Sequence, residues 1–261
     1  MNFFLLLATT VFLAGCAHAQ PSAEPISFRV MTYNIRHGVG MDNKLDLPRI
    51  AEVIQREKAD IVALQEVDKG VARTSRRDLT TELAKLTGMT GVFSNNHKYQ
   101  GGDYGNAILS RFPVLQQTNF HYQMIRPNEQ RGVLQLVLDV HGKKLLFMCT
   151  HIDYRQEDEE RKMNVVELKG IVAAHAKMPI ILCGDFNSTP DSKIHEMAKK
   201  FLADSWELIG SGVGSTFPSD KPDRRIDYIW ISPESIRPIK IWVPKSDASD
   251  HVPVAGEFFL K

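Results

Sequence analysis

The chain carries almost no excess charge of either sign: 32 Lys and Arg stand against 31 Asp and Glu, a formal net charge of +1. That balance removes the global basic field that holds nucleic acid or an anionic membrane, and leaves such partners to local patches. Cysteine is scarce, three in 261 residues, so the fold is not a disulfide-stapled scaffold. A membrane-spanning run is missing too. The apolar stretch FFLLLATTVFLA at 3–14 falls short of the roughly 20 residues a membrane helix needs. There is no low-complexity tract, no short repeat and no linker that would divide the chain. What is there, 43% hydrophobic and 24% charged residues, is enough for one large core, expected over residues 20–261.

The stretch at 3–14 suits the apolar centre of an export signal, although Met1 and Asn2 before it supply no Lys or Arg. Two cleavage patterns overlap just after it. LAGC (13–16) resembles a bacterial lipobox with Cys16 as the lipidated residue, and AHA (17–19) fits ordinary signal peptidase. The expectation is an exported protein with residues 1–19 as the signal. It is either a periplasmic or cell-surface lipoprotein anchored through Cys16 or a secreted soluble form cut after Ala19. The other cysteines, Cys149 and Cys183, end the apolar runs LLFMC and IILC, each two residues before a polar residue, His151 and Asp185. A period of two puts each pair on one strand face. Two buried, unbonded thiols on neighbouring strands are expected.

Short runs rich in Val, Ile and Leu read as strands at 28–35, 60–67, 105–110, 132–140, 144–152, 179–186, 225–232 and 252–260. Two helical patterns lie between them. One, at 46–58, opens with Asp46 as N-cap and Pro48 in the first turn. The other, at 155–176, puts Met163, Val166 and Leu168 to Val172 on an apolar stripe. VHGKK (140–144) reads as a turn joining two strands directly. Crossovers together with hairpins imply mixed sheets covered by helices.

Polar residues interrupt or follow these runs in order: Asn34 in TYNIRHG, Glu66 in ALQEVD, His151 in CTHID, Asp185 and Asn187 in GDFN, Asp227 in RIDYI, and Asp250 with His251 in SDHVPV. A buried carboxylate or imidazole at a strand end costs several kcal/mol unless it is paired or bound to metal. A single Asp there is an ordinary turn or cap residue. The whole ordered series is not.

In that series the chain resembles the endonuclease/exonuclease/phosphatase superfamily of metal-dependent phosphoesterases, which includes secreted deoxyribonuclease, neutral sphingomyelinase and inositol polyphosphate 5-phosphatases. The resemblance implies an α+β fold, a four-layer αββα sandwich of two mixed sheets packed face to face with helices outside. It also implies a Mg²⁺ site, with Mn²⁺ as a substitute, held by Glu66 with Asn34 and Asp250. Asp185 would deprotonate the attacking water and Asn187 would hold it or a phosphoryl oxygen. His251, oriented by Asp227, would donate to the phosphate, and His151 would stabilise the leaving group. Arg36 stands where the abasic-site repair branch has Asp, and His151 where it has Tyr, which disfavours a repair role and favours a single metal.

Substrate choice is left to the loops. The basic run DKGVARTSRRD (68–78) follows Glu66, and GGDYGNAILSR (101–111) precedes a strand. Arg73, Tyr104 and Asn106, with Arg131 and Arg36, are the candidates for substrate binding, Arg73 as the grip on a second anionic group. The loop GSGVGSTFPSDKPDRR (210–225) is expected to be a mobile wall of the cleft. The expected function is an exported monomeric phosphoesterase acting on a small or lipid-linked phosphate ester, with the membrane reached only through Cys16. A secreted nuclease is the alternative, weakened by the neutral charge. A non-catalytic binding module is disfavoured, because Glu66, Asp185 and His251 are all present.

Overall fold

A computed structural model describes Met1 and residues 26–261. The apolar stretch at 3–14 and the cleavage positions at Cys16 and Ala19 lie outside the described residues. In chain order the elements are β1 (Ile26–Asn34), α1 (Leu47–Arg56), β2 (Ile61–Lys69), α2 (Leu79–Thr87), β3 (Thr90–Tyr99), β4 (Gly102–Ser110), β5 (Val114–His121), β6 (Gly132–Val140) and β7 (Lys143–His151). They continue with α3 (Glu159–Ala174), β8 (Ile180–Asp185), α4 (Lys193–Ala198), β9 (Ala203–Asp204), α5 (Ser205–Ile209), β10 (Asp227–Ile231), β11 (Ile236–Trp242) and β12 (Val254–Leu260).

One sheet has the order β11-β12-β1-β2-β4-β3 and the other β5-β6-β7-β8-β10-β9. Each contains one parallel pair, β1 with β2 and β7 with β8, among otherwise antiparallel neighbours. A parallel pair needs a crossover, and α1 and α3 supply the two. Hairpins make the other short links. His141 and Gly142 take φ of 53° and 86° in the β6–β7 turn, the left-handed pair that matches strand twist.

The layers follow from where side chains are buried. Phe28, Val30, Ile61 and Ile108 of the first sheet meet Leu136, Phe147, Cys149 and Ile181 of the second in a central core. A second core joins the outer face of the first sheet to α1 and α2 through Ile50, Ile54, Leu79 and Leu83. A third joins the other outer face to α3 and α4 through Val165, Leu168, Val172 and Ile194. The result is the expected αββα sandwich.

Asp46 caps α1, its carboxylate accepting from the Arg49 amide at 3.2 Å. The stripe expected on the long helix needs correction: Val165, Leu168 and Val172 are buried, whereas Val166 is 58% exposed. The buried face also carries Glu160, Arg161 and Asn164, whose partners sit in the adjoining loops. Asn164, for one, accepts from the Asp153 amide at 3.3 Å. An apolar stripe therefore does not trace that face.

Candidate active site at one end of the sandwich

The carboxyl ends of the two parallel pairs lie at the same end of the molecule, where ligands of mixed sheets commonly gather. β1 ends on Asn34, β2 carries Glu66 near its end, β7 ends on His151 and β8 on Asp185. His151 and Asp185 are register partners, and so are Asp185 and Asp227, the first residue of β10. Local backbone devices aim these side chains. The β2–β4 register shifts between Leu64 and Val67, a bulge at which Glu66 takes φ of 58°. Asn187 and Arg36 are also left-handed, at 44° and 43°. Such backbone is unfavourable for a side-chain-bearing residue and persists where its surroundings impose it. The glycine of GDFN is required by close approach, since a Cβ on Gly184 would stand 2.1 Å from the Thr150 carbonyl oxygen.

Asn34 links the two sheets. Its side-chain amide donates to Glu66 Oε1 at 3.0 Å and to Asp185 Oδ2 at 3.1 Å. Asp185 Oδ1 accepts from the Asn187 backbone amide at 2.8 Å. The Asn187 side-chain amide donates to His151 Nε2 at 3.1 Å and to the Ile152 carbonyl at 3.3 Å. His251 Nδ1 donates to Asp227 Oδ2 at 2.9 Å, which leaves Nε2 3.7 Å from Asp185 Oδ2.

Burial and these neighbours set the protonation states. Burial alone would lower His251, but the Asp227 carboxylate and then Asp185 outweigh it and hold the imidazolium up to about 10. Asp185 is pushed up to about 7, by burial first and by Asp227 second. His151 is held well below the ordinary histidine range by burial and by the positive charges of Arg131 and His251, so it is neutral. Glu66 is raised by burial.

The residues fit a hard divalent cation at Glu66. Its hydrogen-bond partner among the described residues is the neutral Asn34 amide. The Asp250 carboxylate shares its cavity, and oxygen donors of this kind suit Mg²⁺. Asp185, Asp227 and His251 also bring ligand atoms within 4.8 Å of one another. There, however, the His251 ring already lies against both carboxylates, 2.9 Å from Asp227 and 3.7 Å from Asp185.

A cavity of about 420 Å³ opens over this centre, lined by Glu66, Arg73, Tyr104, Arg131, His151, Asp185, Asn187, Asp250 and His251. Asn34 and Asp227 stand buried behind the lining. Two expected substrate residues do not reach it. Asn106 is buried and donates to the Gly132 and Cys149 carbonyls at 3.1 and 3.3 Å, so it fastens one sheet to the other. Arg36 sits outside the lining, 3.7 Å from Asp250. The loop at 210–225 does wall the cavity, with Phe217 against His251 at 4.8 Å between ring centroids. It is fastened, however: the Ser219 amide donates to the Asp250 carbonyl at 2.7 Å and the Val252 amide to that of Thr216 at 2.8 Å.

Four lining residues had no signal in the run-by-run reading: His97, Tyr99, Glu129 and Tyr154. The first two lie on β3, an edge strand without an apolar run, and the others on loops. A fifth, Phe217, lies in the 210–225 loop expected to wall the cleft, although the residue itself was not singled out.

The family model for the endonuclease/exonuclease/phosphatase family matches residues 31–251. The chain belongs to this family. Family members are hydrolases of phosphoester bonds and generally use a divalent metal. Among its relatives is the uncharacterized protein YbhP of Escherichia coli K12, 27% identical over 258 residues, covering 91% of this chain and 98% of that one. Two solved structures from Bacteroides thetaiotaomicron share the fold at 21% identity. One is an endonuclease/exonuclease/phosphatase family protein with a TM-score of 0.76, covering 91% of this chain and 99% of that one. The other is a mannosyl-6-phosphatase with a TM-score of 0.74, covering 88% and 99%.

Proposed function

We propose that the protein is an exported, Mg²⁺-dependent phosphoesterase that cleaves a small or lipid-linked phosphate ester by in-line attack of water. The observation that carries this reading is the convergence, in one cavity, of the Glu66, Asp185 and Asp250 carboxylates with His151 and His251, with Asp185 raised to about 7 by burial and Asp227 and with His251 held up by Asp227. Mg²⁺ bound at Glu66 with Asp250, Glu66 being held by the Asn34 amide, would offset charge on the phosphoryl oxygens. Asp185 takes the proton of the attacking water, and a carboxyl held at about 7 is suited to that at neutral pH. The Asn187 amide positions the water or an oxygen of the substrate. His251, anchored by Asp227, donates to a phosphoryl oxygen, and neutral His151 faces the leaving group. A concave site of about 420 Å³ is in the range of small-molecule sites, which favours a small ester over a duplex.

Export rests on the apolar stretch at 3–14 and the patterns ending at Cys16 and Ala19. The reaction is tested by phosphate-release and nuclease assays with Mg²⁺ over monoesters, diesters and duplex DNA. Release from a small ester, abolished by chelation, is the expected result. Cleavage of DNA alone would transfer the reading to the nuclease, and no cleavage of any ester would end it.

A further inference from the structure

The cavity wall contains two arginines, Arg73 and Arg131, and the charge of each is already matched by a carboxylate. Arg73 clamps Asp68 bidentately, Nε to Oδ2 at 2.8 Å and Nη2 to Oδ1 at 2.9 Å, and the Asp68 side chain is wholly buried. Arg131, buried, reaches Glu129 at 3.1 Å, and Glu129 itself lines the cavity. Each guanidinium is matched by one carboxylate. The other basic residues of the 68–78 run do not line the cavity; Lys69 pairs with Asp78 at 3.3 Å and Arg77 with Glu82. A second phosphate entering here would lose its hydration and meet the Glu129 carboxylate, with no uncompensated cation to offset either cost.

The aromatic faces are partly occupied as well. The Arg73 guanidinium lies 4.8 Å from the Tyr99 ring centroid and 5.4 Å from that of Tyr104, and Arg131 lies 5.4 Å from Tyr154. One face of each ring is thus covered by a cation, which reduces the flat surface left for a nucleobase. What stays open are hydrogen-bonding edges. Arg73 is held in a fixed orientation, and its Nη1 is not used by Asp68. Arg131 Nε is buried without a partner among the described residues. Glu129 supplies acceptors beside these donors. A hydroxyl group satisfies both kinds at once, since it donates to a carboxylate and accepts from a guanidinium.

We propose that the leaving alcohol is a neutral, polyhydroxylated ring of the sugar or cyclitol class, with Arg73 and Glu129 reading its hydroxyls. The inference rests on the phosphoesterase reading above and replaces the expectation of a second anionic group at Arg73. In the reaction the water oxygen joins phosphorus, the P–O bond to the ring breaks, and the alcohol leaves with a proton. The pairing of Arg73 with Asp68 makes the subsite rigid before substrate arrives, so little ordering remains to be done on binding.

The test is steady-state hydrolysis with Mg²⁺ of a hexose monophosphate, inositol monophosphate, a hexose bisphosphate, a nucleoside 5′-monophosphate and 4-nitrophenyl phosphate. Wild type is compared with Arg73→Lys and Glu129→Gln. The hexose or inositol monophosphate should have a kcat/KM at least about 10-fold above the other three. Arg73→Lys, which keeps the charge but loses the fixed fork, should raise KM for that substrate about 10-fold with a much smaller change in kcat. Glu129→Gln should raise KM in the same way. Preference for the bisphosphate, the nucleotide or the nitrophenyl ester would overturn the inference and leave the phosphoesterase reading standing. So would a polyol preference whose KM neither variant alters. Release from none of the esters would defeat the phosphoesterase reading itself, and this inference with it.

Discussion

Asn34 uses both hydrogens of one amide, one for Glu66 and one for Asp185, so a single neutral side chain fixes the distance between the expected metal ligand and the expected base. Its effect on the reaction is therefore indirect but large. Asn34→Ala should weaken the apparent affinity for Mg²⁺, read from activity, about 10- to 100-fold, as loss of a group that orients a ligand does. A Mg²⁺ titration of the variant that shifts by less than twofold would contradict that role. Asp185 differs in sign. Its carboxyl is raised to about 7, above its unfolded value, so in the metal-free protein it costs stability as pH rises through the window from 3.8 to about 7. Asp185→Asn should lower kcat about 10²- to 10⁴-fold, while the metal-free Tm at pH 8 is no lower than wild type. A Tm drop accompanying the activity loss would mean that the fold, not the base, had been removed.

Among the elements, the strands legible in the sequence and those that were not divide by position in the sheet. The eight apolar runs correspond to the interior strands β1, β2, β4, β6, β7, β8, β10 and β12, and the four strands without a run, β3, β5, β9 and β11, are the four sheet edges. An interior strand is buried on both faces and reads as a continuous run. β5, by contrast, reads VLQQTNFH and is largely exposed, and β11 carries Pro238 at a register shift, as edge strands tolerate. The reacting centre was legible because it sits on interior strand ends. The substrate wall was not, because His97 and Tyr99 lie on an edge and Glu129 and Tyr154 on loops. Asn106 was misread for the complementary reason: a polar residue in an interior strand served the joint between sheets.

Away from the site, Asp204 at the start of α5 accepts from Arg225 Nη1 at 2.6 Å and meets His195 Nε2 at 2.9 Å, all three side chains buried. Burial would raise its carboxyl, but His195 and Arg225 together hold it below the ordinary range. A depressed carboxyl stabilises the fold above its unfolded value, and that contribution is lost as pH falls through the folded one. Asp204→Asn should cost about 3–5 kcal/mol at pH 7, since it strands a buried guanidinium, and should flatten the loss of Tm below about pH 4. A urea melt at pH 7 and thermal melts from pH 7 to below about pH 4 check the two; an unchanged urea midpoint or an unaltered Tm profile would contradict them.

At the scale of the whole molecule, the near-neutral charge and the modest volume of the cavity, about 420 Å³, argue together for a small substrate. The two thiols belong to the sandwich: Cys149 and Cys183 are register partners on β7 and β8 and are free, both buried in the central core. The Cys149 thiol is pushed up to about 12 by burial, so alkylation of the folded protein should be negligible and complete only after denaturation. The proposed export adds a second whole-molecule expectation: the mature protein should begin at Cys16 with acyl chains, or at Gln20 without them, by intact mass.

The most direct test of the site as a whole is phosphate release by wild type and Glu66→Gln across one Mg²⁺ titration. Wild type should be inactive after chelation and saturate as Mg²⁺ is restored. Glu66→Gln should remain at least about 100-fold slower at every concentration that saturates wild type. A Glu66→Gln enzyme that keeps more than half the wild-type rate at the same Mg²⁺, or a wild type indifferent to chelation, would contradict a metal-assisted site built on Glu66.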